Sequence, residues 1–397
     1  MPRHSALFRG VIPRPPLHRT DRTDIVFALT GDVRRNSRAL RQLRAFSDMG
    51  LTVDVLSFGD ARPDRLGIPR ITVHAIAPPV GTGPAYFWNV HRAVKREASL
   101  RPAAVYHASD LYVLPALTGV ARRQQARIVY DARELYPYVA STVGRPWIRV
   151  FWWLVERSHI RKADLVLTVS NGIADKLADL YDIPRPTLLY NVPEITAIPE
   201  RRSLRGTSDL SFNSVLILHQ GQMRPDRGCE LLVDAMRDVD GAILVFLGDG
   251  PLRPRLEAQA AAARISSRVV FVDAVPPDEL LAYTASADIG VTLLQDTCLN
   301  HRLALPNKLF EYLAAHVPVI ASDLSEIRKV VSTYDVGQVV EPGNRTDLVA
   351  ALNQAVIDKT LRERWRRNIP RALETFNWRQ ASEQFLHVYK TLLGLTP

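Results

Sequence analysis

The sequence predicts an α/β protein of two parallel-sheet domains with a cleft between them, and three stretches carry that expectation. Asp24–Thr30, Ser37–Met49 and Leu51–Ser57 read strand, helix, strand, a run that makes two strands of one sheet parallel. Ser214–Gly221, then the loop Gln222–Gly228 and a helix from Cys229, opens a second unit of the same kind. Between them Glu194–Asn213 is polar and has no apolar period, as a linker does. The expected domains are 24–193 and 214–375. A disordered leader is expected over 1–23, the linker over 194–213 and a last helical segment over 376–397.

Asp24–Thr30 is apolar and of strand length, so it reads as a strand covered on both faces. The loop Gly31–Asn36 follows, with Ser37 as cap of a helix that Gly50 closes. Arg34 and Arg35, with Arg38 one turn on, face either the cleft or open solvent. Ile71–Ile76 is a further strand, Gly81–Pro84 a turn and Tyr86–Leu100 a helix. Ala104–Asp110 runs from strand into loop; the helix Leu111–Gln124 and the strand from Arg127 come next. His107, Asp110, Asp131 and Glu134 then fall at two neighbouring strand ends, where open α/β sheets hold ligands. Each alone suits a satisfied buried polar group; together they suit the polar wall of a site. Trp147–Arg157 is a helix dense in aromatics. Trp mixed with Arg suits weak contact with a membrane surface, although an ordinary helix of the domain, leading into Ala163–Ser170, is the simpler reading. Ala163–Ser170 is strand, Asn171–Leu180 helix, and Leu188–Pro193 leads out of the domain.

In the second domain Arg227 stands at a helix start after a glycine-bounded loop, Gly221–Gly228, a geometry that suits a phosphate. Ile243–Pro251 is strand then tight turn, where Gly248 and Gly250 permit positive φ or a close approach of another chain. Val269–Val275 is strand and exit loop, Pro277–Leu280 starts a helix, and Ala287–Leu294 is strand. Leu305–Ser322 reads loop, helix, strand. Pro306 precedes the helix, Asn307 caps it, and Leu309, Tyr312 and Leu313 form its apolar stripe. Lys308 adds a full charge to the partly positive helix start, and Glu311 lies one turn on, on nearly the same face. A cation beside a carboxylate suits a ligand anionic at one end and hydroxylated at the other, such as a nucleoside diphosphate. For one helix taken alone, a surface Lys–Glu pair is the plainer reading. Arg345–Arg371 is mostly helical, and Trp378–Leu393 is an amphipathic helix.

Composition narrows the class. With 47% hydrophobic and 23% charged residues in 397, the chain suits a globular protein with ample core. Its two cysteines, Cys229 and Cys298, form neither a disulfide framework nor a metal-ligand spacing, which points to a reducing cytoplasm. No apolar run approaches the roughly 20 residues of a membrane span. Met1–Thr23 is rich in Arg and Pro without the apolar core of a secretory signal. The first strand–helix turn lacks G-x-G-x-x-G, so a nicotinamide dinucleotide is not expected. The formal net charge is +10, yet no basic block interleaved with aromatics marks a nucleic-acid module.

The string LPNKLFEYLAAHVPVIAS at Leu305–Ser322 resembles the donor-binding segment of retaining glycosyltransferases of the GT-B fold, in the family-4-like group. VYDARELYP at Val129–Pro137, ADLVLTVS at Ala163–Ser170, YNVP at Tyr190–Pro193 and the G-x5-R-G of Gly221–Gly228 resemble further segments of that group. The resemblance implies two Rossmann-like domains facing across a cleft, with the last helix crossing back to the first. It implies a nucleoside-diphosphate sugar as donor substrate, with UDP or GDP as its nucleotide. Leu305, Pro306, Asn307, Lys308 and Arg227 would hold the diphosphate and Glu311 the ribose, with Gly221, Gly248 and Val275 also lining the donor side. On the first domain Arg34, Arg38, His107, Asp110 and Glu134 would meet a glycan, lipid-linked glycan or small-molecule acceptor. Arg227, Lys308, Asp110 and His107 are the candidate catalytic residues, and neither cofactor nor metal is implied. The chain departs from the family at four places: His316 replaces a usual Gly, Gln222 a usual Arg, Arg133 a usual His, and Leu303 the usual first Glu of a spaced pair. With Leu303 there, the sugar contact falls to Asn300, His301 or the backbone. The rival reading is a protein of this fold that binds a nucleotide sugar without transferring it and serves assembly or regulation.

Overall fold

The computed structural model describes residues 22–59, 66–195, 200–204 and 214–395. Its first sheet has seven strands: β1 (Thr23–Leu29), β2 (Val53–Phe58), β3 (Ile71–Ile76), β4 (Ala103–Ala108), β5 (Arg127–Ala132), β6 (Leu165–Thr168) and β7 (Thr187–Leu188), in the order β3-β2-β1-β4-β5-β6-β7. Its second has six: β8 (Val215–Gln220), β9 (Ala242–Leu247), β10 (Val269–Val272), β11 (Ile289–Thr292), β12 (Val319–Ser322) and β13 (Gly337–Val340), in the order β10-β9-β8-β11-β12-β13. All the described strand pairs are parallel. Parallel strands need helical crossovers, and those helices cover both faces, so the strands read as unbroken apolar runs. β9, AILVFL, is buried along its whole length, and β1 is buried from Ile25 to Leu29. This is the two-domain α/β architecture that the sequence predicts.

Strand order reverses between β1 and β4 in one sheet and between β8 and β11 in the other. At such a point the loops leave the strand ends in opposite directions and open a crevice. Among the described residues, three hydrogen bonds join the two domains beside these crevices. Leu135 N donates to Asn300 Oδ1 (2.7 Å), Ser170 Oγ to the Leu303 carbonyl (2.5 Å) and Asn191 Nδ2 to Asn307 Oδ1 (2.6 Å).

The last helix, Trp378–Leu393, crosses back to the first domain. Asn377 caps it by accepting from Gln380 N (2.9 Å). Its Phe385 and Tyr389 pack on Phe46 with ring centroids 5.0 and 4.6 Å away, and the Tyr389 hydroxyl hydrogen-bonds His107 Nδ1.

Several local expectations shift. Asn36, not Ser37, caps the first helix, accepting from Ala39 N (3.0 Å). The helix expected from Tyr86 begins at Gly83, with Pro84 in its first turn. The helix expected over Trp147–Arg157 spans Pro146–Ile160 and leaves Trp147, Val150, Phe151 and Leu154 exposed. Met1–Asp21, read as a leader, and residues 196–199 and 205–213 of the linker lie outside the described residues. Within the linker, Arg202 N donates to the Ala282 carbonyl (3.0 Å) and Leu204 is buried, so this part lies on the second domain.

Candidate functional site

The helix Asn307–Ala314 places Lys308 and Glu311, and Tyr312 fixes the helix. The Tyr312 hydroxyl donates to the Leu218 carbonyl (2.9 Å) and accepts from Gln220 N (3.1 Å), which ties the helix to the end of β8. Its ring lies flat on β11 at Gly290, where a Cβ would come within 2.4 Å of the ring. A side chain on β11 there would push the whole helix outward. Pro306 occupies the cap position, and no side chain caps the helix start. Asn307, expected to be the cap, instead accepts from Asn191 of the first domain. Leu309 N donates to the Pro306 carbonyl (3.0 Å), so the amides of Asn307 and Lys308 are the ones left to a ligand or solvent.

Lys308 Nζ lies 3.3 Å from His219 Nε2, and His219 Nε2 lies 3.6 Å from Cys229 Sγ. Burial brings Lys308 down to about 8, with Arg227 adding repulsion against the pull of Cys229 and Glu311. Burial also holds His219 well below its ordinary value, reinforced by Lys308 and Arg227, so this imidazole is neutral. Lys308 and Arg227 have no ion pair among the described residues. Arg227 comes from the loop after β8. It lies in electrostatic reach of Lys308, His219, His301 and, across the cleft, Glu134. Two cations and an uncapped helix start thus converge beyond the ends of β8 and β11, a strongly anion-attracting spot.

Glu311 accepts from Gln220 Nε2 (2.6 Å), and Gln220 Oε1 accepts from Thr284 Oγ1 (2.8 Å). Burial raises the Glu311 carboxyl, opposed by Gln220, Lys308 and Arg41. Beside it, Gly221 and Gly248 both have positive φ, and a Cβ on Gly248 would fall 2.4 Å from the Gly221 carbonyl oxygen. The two loops thus stack backbone on backbone, joined by Met223 N to the Asp249 carbonyl (2.8 Å). Val275 is half-buried on the exit loop of β10, and Leu305 is buried ahead of the helix. Gln222 is exposed.

On the first domain the structure keeps Glu134 in the cleft and withdraws three other residues from it. Glu134 meets the cleft solvent, but the flanking protein raises its carboxyl against the pull of Arg133 and Arg227. Arg34 is exposed and pairs with Asp32 (3.0 Å). Arg38, expected on the acceptor side, is 2% exposed; its Nη2 and Nε grip Asp131 (2.7 and 2.8 Å) and its Nη1 the Leu189 carbonyl (2.7 Å). It is a buried strut between the first helix, β5 and the exit from β7. His107, expected to be catalytic, is fully buried, stacked on Phe27 at 4.4 Å and engaged by Tyr389. Burial takes its imidazole down to about 3, so it stays neutral. Asp110, also expected to be catalytic, is 1% exposed. It accepts from Thr30 N (2.9 Å), Thr30 Oγ1 (2.7 Å) and Val113 N (3.2 Å), which stitches together the loops after β1 and β4.

The segment before the helix Asn307–Ala314 differs in a similar way. Asn300 is buried and receives Leu135 N, so it joins the domains rather than facing a sugar. His301 is nearly buried, with Nδ1 against Thr297 Oγ1 (2.9 Å) and the Gln295 carbonyl (3.1 Å). Leu303 packs on Gly172, where a Cβ would come within 2.8 Å of it. An apolar side chain thus fills the domain junction at the place where the resembled family usually carries a Glu. Arg41 escaped the sequence reading. It reaches from the first helix to hydrogen-bond Asn191 Oδ1, and its Nε is buried without a partner. Helical period alone marks it as half-buried surface, and only the folded chain sets it near Glu311.

Comparison with known proteins agrees with this arrangement. The family model "Glycosyltransferase Family 4" matches residues 36–192, and "Glycosyl transferases group 1" matches residues 201–372, so the two account for most of the chain. The sulfoquinovosyl transferase of Arabidopsis thaliana is 24% identical over 300 residues; the match covers 73% of this chain and 57% of that enzyme's length. Among solved structures, sucrose-phosphate synthase from Thermosynechococcus elongatus superposes with a TM-score of 0.78 at 18% identity, covering 94% of this chain and all of that one. An Anabaena protein solved in complex with UDP-glucose superposes with a TM-score of 0.72 at 15% identity, covering 93% of this chain and all of that one.

Proposed function

The chain belongs to the GT-B glycosyltransferases of the family-4-like group, and on that premise we propose that it transfers a sugar from a nucleoside-diphosphate donor to a hydroxyl acceptor. The observation that carries this reading is the convergence of Lys308, Arg227 and an uncapped helix start at the switch point of the second sheet. UDP or GDP is the leaving group, and the Anabaena neighbour's UDP-glucose supports a donor of this class.

The bond between the anomeric carbon and the diphosphate oxygen breaks as Lys308, Arg227 and the first helix amides take up the developing negative charge. Glu311, held by Gln220, accepts hydrogen bonds from the ribose hydroxyls. The acceptor hydroxyl approaches on the face the diphosphate leaves and gives its proton to the departing phosphate oxygen, so the new bond retains the anomeric configuration. Glu134, across from Arg227, orients the acceptor. Because Lys308 and Arg227 supply the positive charge, the reaction is proposed to need no divalent cation.

The test is a panel of UDP- and GDP-sugars incubated with purified protein and with Lys308→Ala. Donor turnover by the wild type and its loss in a folded variant are expected. Tight nucleotide binding with no turnover of any donor would favour a binding protein instead. Unchanged nucleotide affinity in Lys308→Ala would remove the site.

A further inference from the structure

The helix Pro146–Ile160 carries Trp147, Val150, Phe151 and Leu154 at a spacing that puts them on one face. That face is open: Trp147 is 68% and Leu154 53% exposed. It continues onto the helix Gly83–Ser99, because Phe87 meets Phe151 and Trp152 edge-on at 5.8 and 5.5 Å, and the next residue, Trp88, is 59% exposed. Contiguous exposed apolar surface of this kind marks a contact.

The exposed charged residues of these two helices are basic. Arg92, Arg145 and Arg149 are exposed and Arg157 half-buried beside the patch. From Val80 to Arg96 the sequence has no carboxylate. From Val143 to Lys162 it has one, Glu156, which is buried and receives the hydroxyls of Tyr130 (2.7 Å) and Tyr181 (2.6 Å). Trp and Leu flanked by Arg, with no fully exposed carboxylate on either helix, match the boundary between anionic headgroups and acyl chains.

We propose that this face docks the protein on an anionic lipid surface. Trp147, Phe151 and Leu154 enter the headgroup boundary while Arg145, Arg149 and Arg157 meet lipid phosphates. Attachment is peripheral: among the described residues no helix is long and apolar enough to cross a membrane. At the N-terminal end of the same helix a cavity of about 360 Å³ runs from Val143, Arg145 and Arg149 to Cys298 and Leu299 of the second domain. Docking places that opening, at the junction of the two domains, against the lipid. On the glycosyltransferase reading, the acceptor is then one held at that surface, a lipid-anchored hydroxyl.

Vesicle flotation tests the docking without any sugar transfer. Full-length protein is mixed with vesicles of phosphatidylcholine alone or with phosphatidylglycerol added, at low and high salt. Binding is expected only with the anionic lipid and should weaken with salt, together with a blue shift of tryptophan fluorescence. Trp147→Ser combined with Phe151→Ser should weaken vesicle binding by about tenfold or more. Arg149→Gln combined with Arg157→Gln should weaken it by about fivefold per charge removed. Nucleotide affinity measured in the same preparations checks that each variant is folded, and it reports on the donor site independently. No binding to anionic vesicles, equal binding by the aromatic variant, or a dimer of the wild type that the aromatic variant dissolves would each overturn the proposal. The last outcome would assign the face to a second copy of the chain.

Discussion

Nucleoside-diphosphate affinity should fall as pH rises through about 8, and Lys308→Arg should remove that dependence. Burial lowers the Lys308 ammonium from its ordinary 10.5 to about 8, with Arg227 adding repulsion. In the unfolded chain the same group titrates near ~10.4. Between these values the unfolded state holds more protons, so this lysine's contribution to stability grows with pH. Binding runs the opposite way. The diphosphate needs the charged ammonium, so above about 8 the free protein must first recover a proton, and affinity falls by up to about tenfold per pH unit. Between about pH 7 and pH 9 the expected loss is therefore about tenfold. Arginine stays charged throughout, so the variant should bind with a flat profile even if its absolute affinity is lower. Titration calorimetry with UDP or GDP across this range reads the slope directly. A flat wild-type profile, or the same slope in both proteins, would refute the assignment of Lys308 to the diphosphate.

Glu311→Gln should raise the donor KM by about tenfold or more, because charge-assisted hydrogen bonds are worth ~1.5–3 kcal/mol each. It should leave the melting temperature nearly unchanged, since Gln220 can still donate to the amide oxygen. Asp131→Asn should cost about 3–5 kcal/mol in denaturant unfolding, because the buried Arg38 is left without its counter-ion. Gly290→Ala should destabilise the second domain and weaken nucleotide binding together, since a Cβ there meets the Tyr312 ring that positions Lys308 and Glu311. Melting curves with and without UDP separate the two effects.

The fold was legible because parallel strands are covered on both faces and so appear as unbroken apolar runs. Ile71–Ile76 and Trp378–Leu393 lie where the sequence puts them. The direction of polar side chains was much less legible. Residue type and strand position put His107 and Asp110 at a strand end, where ligands bind. Tyr389, 282 residues away, closes over His107, and Thr30, 80 residues away, occupies Asp110. Arg38 belongs to Asp131 for the same reason: a contact between distant elements decides what a local pattern leaves open. The placement of Lys308, Glu311 and Arg227 was more legible. Lys308 and Glu311 lie on one short helix, whose period fixes their common face, and Arg227 follows β8 closely enough for the loop to confine it. The Trp147–Leu154 stripe shows the limit of amphipathic patterns: they mark an apolar face without saying whether the protein's own core covers it.

The central claim is that Lys308 and Arg227 drive departure of a diphosphate whose oxygen then takes the acceptor's proton. The most direct test is NMR of the anomeric centre of the transferred sugar, with EDTA present throughout the reaction. The account predicts a product with the donor's anomeric configuration, formed at the same rate with and without the chelator. An inverted product, or activity lost to EDTA and restored by Mg²⁺ or Mn²⁺, would contradict it.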